Sequence, residues 1–372
     1  MIEQQMLEPD KDYLALDEYF MRQAPKKILL VCGKSVSLFR IGKYFEVLES
    51  RLDIHVVTFQ EFAPNPTYES VERGVRCFKE TGCEMIVAVG GGSAMDVAKC
   101  IKIFVPMDPK RNYLEQEIKM SRIPLLAVPT TAGTGSEVTR YAVIYFRGEK
   151  QSVTHEACIP DAVMLDASML ESLPVYQRKV TCMDAFCHAL ESYWSINSTE
   201  ESREYAGKAI GLIMEYGNGY LGNQRAANEK MLTASHLAGR AINITQTTAG
   251  HALCYKLTSL YGIAHGHAAA LCVMEVWRYM IGHLEECIDV RGQDYLKHIF
   301  VEIADFMGCK DAKEALEYFE MMIKEMQLEM KMVDEEINWK ELVYSVNLER
   351  LRNNPVFLTK EAIDEIYHRI LI

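Results

Sequence analysis

Residues 84–104, EMIVAVGGGSAMDVAKCIKIF, open on an apolar run, break at three glycines and resume with a helical pattern. A compact apolar run ending in glycine reads as a strand buried on both faces. Gly90, Gly91 and Gly92 lack a Cβ, so the backbone there can turn sharply and let a ligand approach closely. Ser93 stands where it can cap the following helix. Free N–H groups at the start of such a helix form an anion site suited to a pyrophosphate. The same residues read equally well as a plain glycine-rich turn, with Ser93 and Asp96 forming an acidic variant of the capping box. The stretch is not the GxGxxG fingerprint, so alone it leaves both readings open.

Working outward, KKILLVCG (26–33), DIHVVTF (53–59) and PLLAVPTT (124–131) are further apolar runs of strand length, and amphipathic segments such as YESVERGVRCFKETG (68–82) lie between them. This alternation predicts a parallel sheet with helices on both faces. A second small-residue loop, PTTAGTGSEVT (129–139), follows the last of these runs and carries the hydroxyls of Thr130, Thr131 and Thr134. Two such loops at the carboxyl ends of neighbouring strands describe a dinucleotide crevice better than either does alone. After about Pro174 the pattern becomes helix upon helix, as in REYAGKAIGLIMEYGNGY (203–220) and the Met-rich EALEYFEMMIKEMQLEM (314–330). The expected organisation is an α/β Rossmann-like dinucleotide-binding domain over 1–177 and an all-α domain over 178–372, with a cleft between them.

Composition excludes several classes. The chain has 372 residues, 49% of them hydrophobic and 25% charged, which suits a globular enzyme with a large core. A formal charge of -12 with no dense Lys/Arg run argues against nucleic acid or an anionic membrane surface as partner. The apolar runs fall short of a membrane span. Eleven cysteines without framework spacing, and an acidic start that is no signal peptide, point to the reducing cytoplasm.

In CMDAFCHALESYW (182–194), Asp184 and His188 stand four residues apart in a mostly apolar segment. On a helix they share one face and could close on a common metal or simply on each other. The segment TTAGHALCYKLTSLYGIAHGHAAAL (247–271) holds His251, His265 and His267 among small and apolar residues, where imidazoles must be hydrogen-bonded, coordinated or exposed at a cavity. Together the two segments favour a site. Cys182, Cys187, Cys254 and Cys272 beside them fit no zinc spacing and read as small buried hydrophobes.

These motifs, GGGSAMDVAK, PTTAGTGSEVT, DAFCHALESYWS and GHALCYKLTSLYGIAHGHA, stand in the order of the iron-containing (group III) alcohol dehydrogenases, which the chain resembles from about Lys26 to about Trp277. The resemblance implies a dehydroquinate synthase-like architecture and one divalent ion held by Asp184, His188, His251 and His265. That ion would be iron(II), with zinc suiting the same donors. It also implies NAD(P) contacts at Gly91, Gly92, Ser93, Asp96, Thr130, Thr131, Thr134 and Lys150, with Asn65 and Pro66 edging the cofactor. NAD-preferring members carry an acid at the end of the first strand; this chain has Gly33 there with Lys34 beside it, which leans toward NADP, unless Gly33 simply makes a tight turn. A homo-oligomer, as a homodimer, is expected.

Many members have a further histidine four residues after the third ligand, where this chain has Tyr255, so Tyr255 or His267 is expected to relay the proton. The segment around Tyr255, Lys256 and His267 is similar to that of phosphonoacetaldehyde reductases. This similarity implies a small aldehyde or alcohol substrate carrying an anion, with Lys256, His267 or Arg140 as its partner. The alternatives are a dehydroquinate synthase-like lyase, a glycerol dehydrogenase-like polyol oxidoreductase, and a metal or nucleotide binder without catalysis.

Overall fold

The structure is a computed structural model that describes residues 4–330, 332, 337–346 and 351–372. Its contacts divide the chain into two compact units, Met1–Leu173 and Pro174–Ile372. The division falls just before the expected boundary at 177, because Pro174 is the N-cap of helix Val175–Trp194 and residues 175–177 already belong to that helix.

The first unit is built on a parallel sheet of six strands in the order β1-β8-β5-β4-β2-β3. They are β1 Gln5–Leu7, β2 Lys27–Cys32, β3 His55–Phe59, β4 Met85–Gly90, β5 Leu125–Pro129 and β8 Ala162–Met164. Successive residues of a strand enter opposite cores. Ile86 and Ala88 pack on one face with the helices Tyr68–Thr81 and Gly92–Phe104, while Met85, Val87 and Val89 pack on the other with Phe20, Tyr44 and Phe45. That two-sided burial explains why the strands read as unbroken apolar runs. Strand order reverses between β2 and β4, so the loops after β2, β4 and β5 lie at the carboxyl edge around a topological switch point. One part departs from the expected all-parallel pattern: β6 Tyr141–Phe146 and β7 Glu149–Thr154 form an antiparallel hairpin. Its turn, Arg147 and Gly148, has φ of 54° and 81°, the left-handed pair of a type I′ hairpin.

The second unit is helical. Helix Val175–Trp194 is buried along nearly its whole length, and helices Glu200–Leu221, Arg225–Thr245 and His265–Gly282 pack against it. A helix buried on nearly all sides lies inside a bundle, so the acid and imidazole it carries are internal. Among the described residues, no helix is long and apolar enough to cross a membrane.

Candidate metal centre and nucleotide loops

Asp184 and His188 project from one face of helix Val175–Trp194, one turn apart. His251 comes from the first turn of helix Ala249–Tyr261, and His265 is the first residue of helix His265–Gly282. A short turn through Gly262, at φ 68°, joins these two helices and brings both imidazoles to the Asp184 carboxylate. One ligand atom from each of the four side chains falls within 4.8 Å of the other three. His188 and His251 stack at 4.4 Å, and Asp184 Oδ1 is 3.6 Å from His251 Nε2 and 3.8 Å from His265 Nε2.

Those separations exceed hydrogen-bond length, and Asp184 Oδ1 and His251 Nε2 are buried without a hydrogen-bond partner. Such orphaned atoms are costly unless something else satisfies them. Burial alone would raise the Asp184 carboxyl, but His188, His265 and His251 outweigh it and hold it well below the usual carboxylate range. Burial pushes His251 down, whereas Glu191 and Asp184 more than compensate and lift it to about 9. The pocket thus favours positive charge, and the one-carboxylate, three-imidazole donor set suits iron(II) and zinc.

Glu191, unread in the sequence, is fully buried and hydrogen-bonded to His251 Nδ1. Its signal was present, since Asp184, His188 and Glu191 follow the i, i+4, i+7 rule of one helix face. Gly266 was also missed: a Cβ there would lie 2.0 Å from Val180 O and 2.8 Å from Asp184 Cβ. Cys254 does more than fill space, because its thiol sits 3.6 Å from His265 Nδ1 and 3.4 Å from His251 O.

The residues expected around the chemistry separate. Tyr255 stacks on His265, with ring centroids 5.5 Å apart. The nitrogens of His267 are both engaged, Nε2 with Leu328 O at 2.6 Å and Nδ1 with the Tyr176 hydroxyl at 3.1 Å. Lys256 is 3.1 Å from the Glu341 carboxylate, and Arg140 lies against the ring and hydroxyl of Tyr141.

In the first unit the two small-residue loops touch. A Cβ on Gly91 would meet Thr131 Oγ1 at 3.1 Å, and one on Gly92 would meet Thr134 Cγ2 at 3.1 Å, so glycines are what let the loops close on each other. Thr130 N donates to Gly90 O across β4 and β5. Ser93 does not cap its helix. Gly91 is the N-cap and no side chain bonds there; Asp96 instead accepts from Ser136 Oγ at 3.3 Å, so the capping box does not form. Asp96 is pushed up to about 6 by burial, which Lys99 and Lys150 oppose. Lys99, buried, donates to Ser136, Thr139 and Tyr141 O and anchors the second loop. Asn65 takes φ 57°, which Asn tolerates, and Pro66 O accepts from Tyr145 N, fixing that loop on β6. Gly33 has φ −78° and ψ 167°, with Ser35 Oγ, at 3.8 Å, the nearest atom to a built Cβ. Any residue adopts that backbone, so no turn requires glycine there. Lys34 is exposed beside it, and Gln60, at the end of β3, donates to Gly33 O.

The iron-containing alcohol dehydrogenase profile matches residues 10–167, and that of the C-terminal region of the Fe-containing alcohol dehydrogenase family matches 179–371. The chain is 35% identical over 221 residues to the probable alcohol dehydrogenase EutG of Escherichia coli, covering 58% of this chain and 56% of that relative, just over half its length. It is 31% identical over 266 residues to the phosphonoacetaldehyde reductase of Streptomyces viridochromogenes, with 67% of each covered. The crystal structure of sulfoacetaldehyde reductase from Bifidobacterium kashiwanohense in complex with NAD+ superposes with a TM-score of 0.87 at 25% identity, over 100% of this chain and 97% of that one. The chain therefore belongs to the iron-containing alcohol dehydrogenase family.

Proposed function

We propose that the protein is a metal-dependent, NAD(P)-linked alcohol dehydrogenase working as an aldehyde reductase, which passes a hydride between nicotinamide and a small aldehyde. One observation carries this: Asp184, His188, His251 and His265 bring their donor atoms within 4.8 Å of one another, with two of those atoms buried and unpartnered. In this reading the four side chains hold the ion, and Gly91, Gly92, Ser93, Asp96, Thr130, Thr131, Thr134 and Lys150 hold the dinucleotide, edged by Asn65 and Pro66. A bound divalent ion supplies Lewis acidity toward the substrate oxygen, and iron or zinc would do so. Tyr255, stacked on His265, takes the role of proton relay, since both nitrogens of His267 are engaged.

NADP is the preferred cofactor in this reading, supported by the missing acid at Gly33 and by Lys34 beside it. The substrate class is a short aldehyde bearing an anion, supported by the names of two relatives, phosphonoacetaldehyde reductase and sulfoacetaldehyde reductase. Eleven cysteines without a disulfide support a reducing, cytoplasmic location, and a homodimer is proposed on the family alone. The test is oxidation of NADPH with an anionic aldehyde, before and after removal and restoration of the metal. Metal-independent oxidation, or none with metal and either cofactor, overturns the proposal.

A further inference from the structure

Glu191 is buried to 0% exposure in the helix that also carries Asp184 and His188. Its carboxylate accepts from Thr248 Oγ1 at 2.6 Å, from Thr248 N and His251 N at 3.2 Å each, and pairs with His251 Nδ1. We propose that Glu191 is a positioning residue of the metal centre: it keeps His251 protonated at Nδ1, so that the Nε2 lone pair faces the point shared with Asp184. The inference rests on the metal-site reading above.

The argument starts from the backbone. Thr248 is the N-cap of helix Ala249–Tyr261 and its own side chain does not cap it. Glu191 does so from the neighbouring helix, accepting from the N–H groups at the helix start. The same carboxylate therefore fixes both the turn from which His251 projects and the ring itself. Gly250 makes the approach possible: a Cβ there would sit 3.1 Å from Glu191 Oε1 and 2.3 Å from Val273 Cγ2. An ionised carboxylate only accepts, so the imidazole nitrogen facing it must carry the hydrogen, and a cation that displaces the ring's second proton meets the lone pair of the other nitrogen. That other nitrogen, Nε2, is the atom left without a partner beside Asp184. A carboxylate behind a histidine ligand also raises the basicity of that ligand and adds negative charge near the cation.

The experiment uses full-length wild type and Glu191→Gln, each stripped of metal with a chelator and titrated with zinc by calorimetry. Glutamine keeps the shape and one acceptor but loses the charge. The expected result is zinc binding roughly tenfold to a hundredfold weaker in Glu191→Gln, with circular dichroism unchanged. A second measurement needs no variant: 15N NMR of histidine side chains in zinc-loaded wild type, where His251 should show a protonated Nδ1 and a metal-bound Nε2. Equal zinc affinity in the two proteins, or metal on Nδ1 of His251, overturns the inference alone. Wild type that binds no divalent ion overturns the metal-site reading with it.

Discussion

Asp184 Oδ1 and His251 Nε2 face each other across 3.6 Å, both buried, neither hydrogen-bonded. They come from different helices, and each has a close neighbour: helix His265–Gly282 packs on the Asp184 helix at Gly266, and Glu191 pairs with His251. The relationship makes sense as half of a coordination shell, because two buried polar atoms at this distance satisfy neither each other nor water.

Of the four proposed ligands, His265 can be removed at least cost to the fold, since its side chain is 36% exposed whereas that of His251 is 1% exposed. His265→Ala should lose at least about a thousandfold in kcat/KM and most of its bound metal. A ligand held at a thousand times its Kd stabilises the folded state by about 4 kcal/mol. Chelation should therefore lower the Tm of wild type clearly and that of His265→Ala hardly at all. Full metal content and full turnover in the variant would remove His265 from the site.

Gly266→Ala tests whether close helix packing sets the site. A methyl group 2.0 Å from Val180 O cannot be absorbed by rotating a side chain, because the obstacle is backbone. Overpacking of this kind costs about 1–3 kcal/mol, and relieving it here must move the Asp184 carboxylate. The expected outcome is a lower Tm together with metal binding at least about tenfold weaker. A variant with wild-type metal affinity would show that the Asp184 helix tolerates displacement.

Legibility in the sequence followed burial. β2, β3, β4 and β5 were readable because each fills both faces of the sheet or ends at a glycine or proline. β1 and β8 are three residues each and leave no period to count, and β7 is largely polar because hairpin strands need only one apolar face. At the site, ligand residue types were visible as polar groups out of place in apolar segments. Glu191 was equally out of place, but its partners lie on a helix about sixty residues away and only tertiary contact identifies them. Gly266 looked like a spacer between two histidines; its purpose is the absence of a side chain against Val180. His267 shows the converse, a histidine in the motif whose two nitrogens meet a backbone carbonyl and a tyrosine hydroxyl.

His267 accordingly should matter for stability more than for turnover. His267→Ala strands the buried Leu328 carbonyl, and leaving a buried polar group unpaired costs about 1–3 kcal/mol, whereas the Tyr176 hydroxyl, on a side chain 44% exposed, can turn to water. Chemical denaturation should show that loss, while kcat/KM of the folded variant stays within about threefold of wild type. A loss of a hundredfold or more at intact metal content would return His267 to the proton relay.

Gly33→Asp should shift cofactor preference from NADP toward NAD by about tenfold or more, equivalent to about 1.4 kcal/mol. The substitution fits: the backbone is in the extended region and Ser35 Oγ, at 3.8 Å, is the nearest neighbour of the new Cβ. The carboxylate would repel a 2′-phosphate and offer an acceptor to a free ribose hydroxyl. The ratio of kcat/KM with the two cofactors measures it, and an unchanged ratio would mean that the end of β2 does not face the ribose.

The anionic aldehyde reading makes a prediction with a built-in competitor. A charge-assisted hydrogen bond to the substrate anion contributes about 1.5–3 kcal/mol, or roughly ten- to a hundredfold in kcat/KM over a neutral aldehyde of equal size. Lys256 is a half-buried cation in the segment that carries the resemblance, and it is paired with Glu341 at 3.1 Å, so a substrate anion would have to displace that carboxylate. The net gain should therefore fall toward the tenfold end. Kinetics with phosphonoacetaldehyde and propanal should show this gap in wild type, a smaller one in Lys256→Ala, and a wider one in Glu341→Gln, where the competitor is neutral. Equal kcat/KM for the two aldehydes in wild type would rule out an anionic substrate, whereas a gap insensitive to both variants would assign the anion contact to a residue other than Lys256.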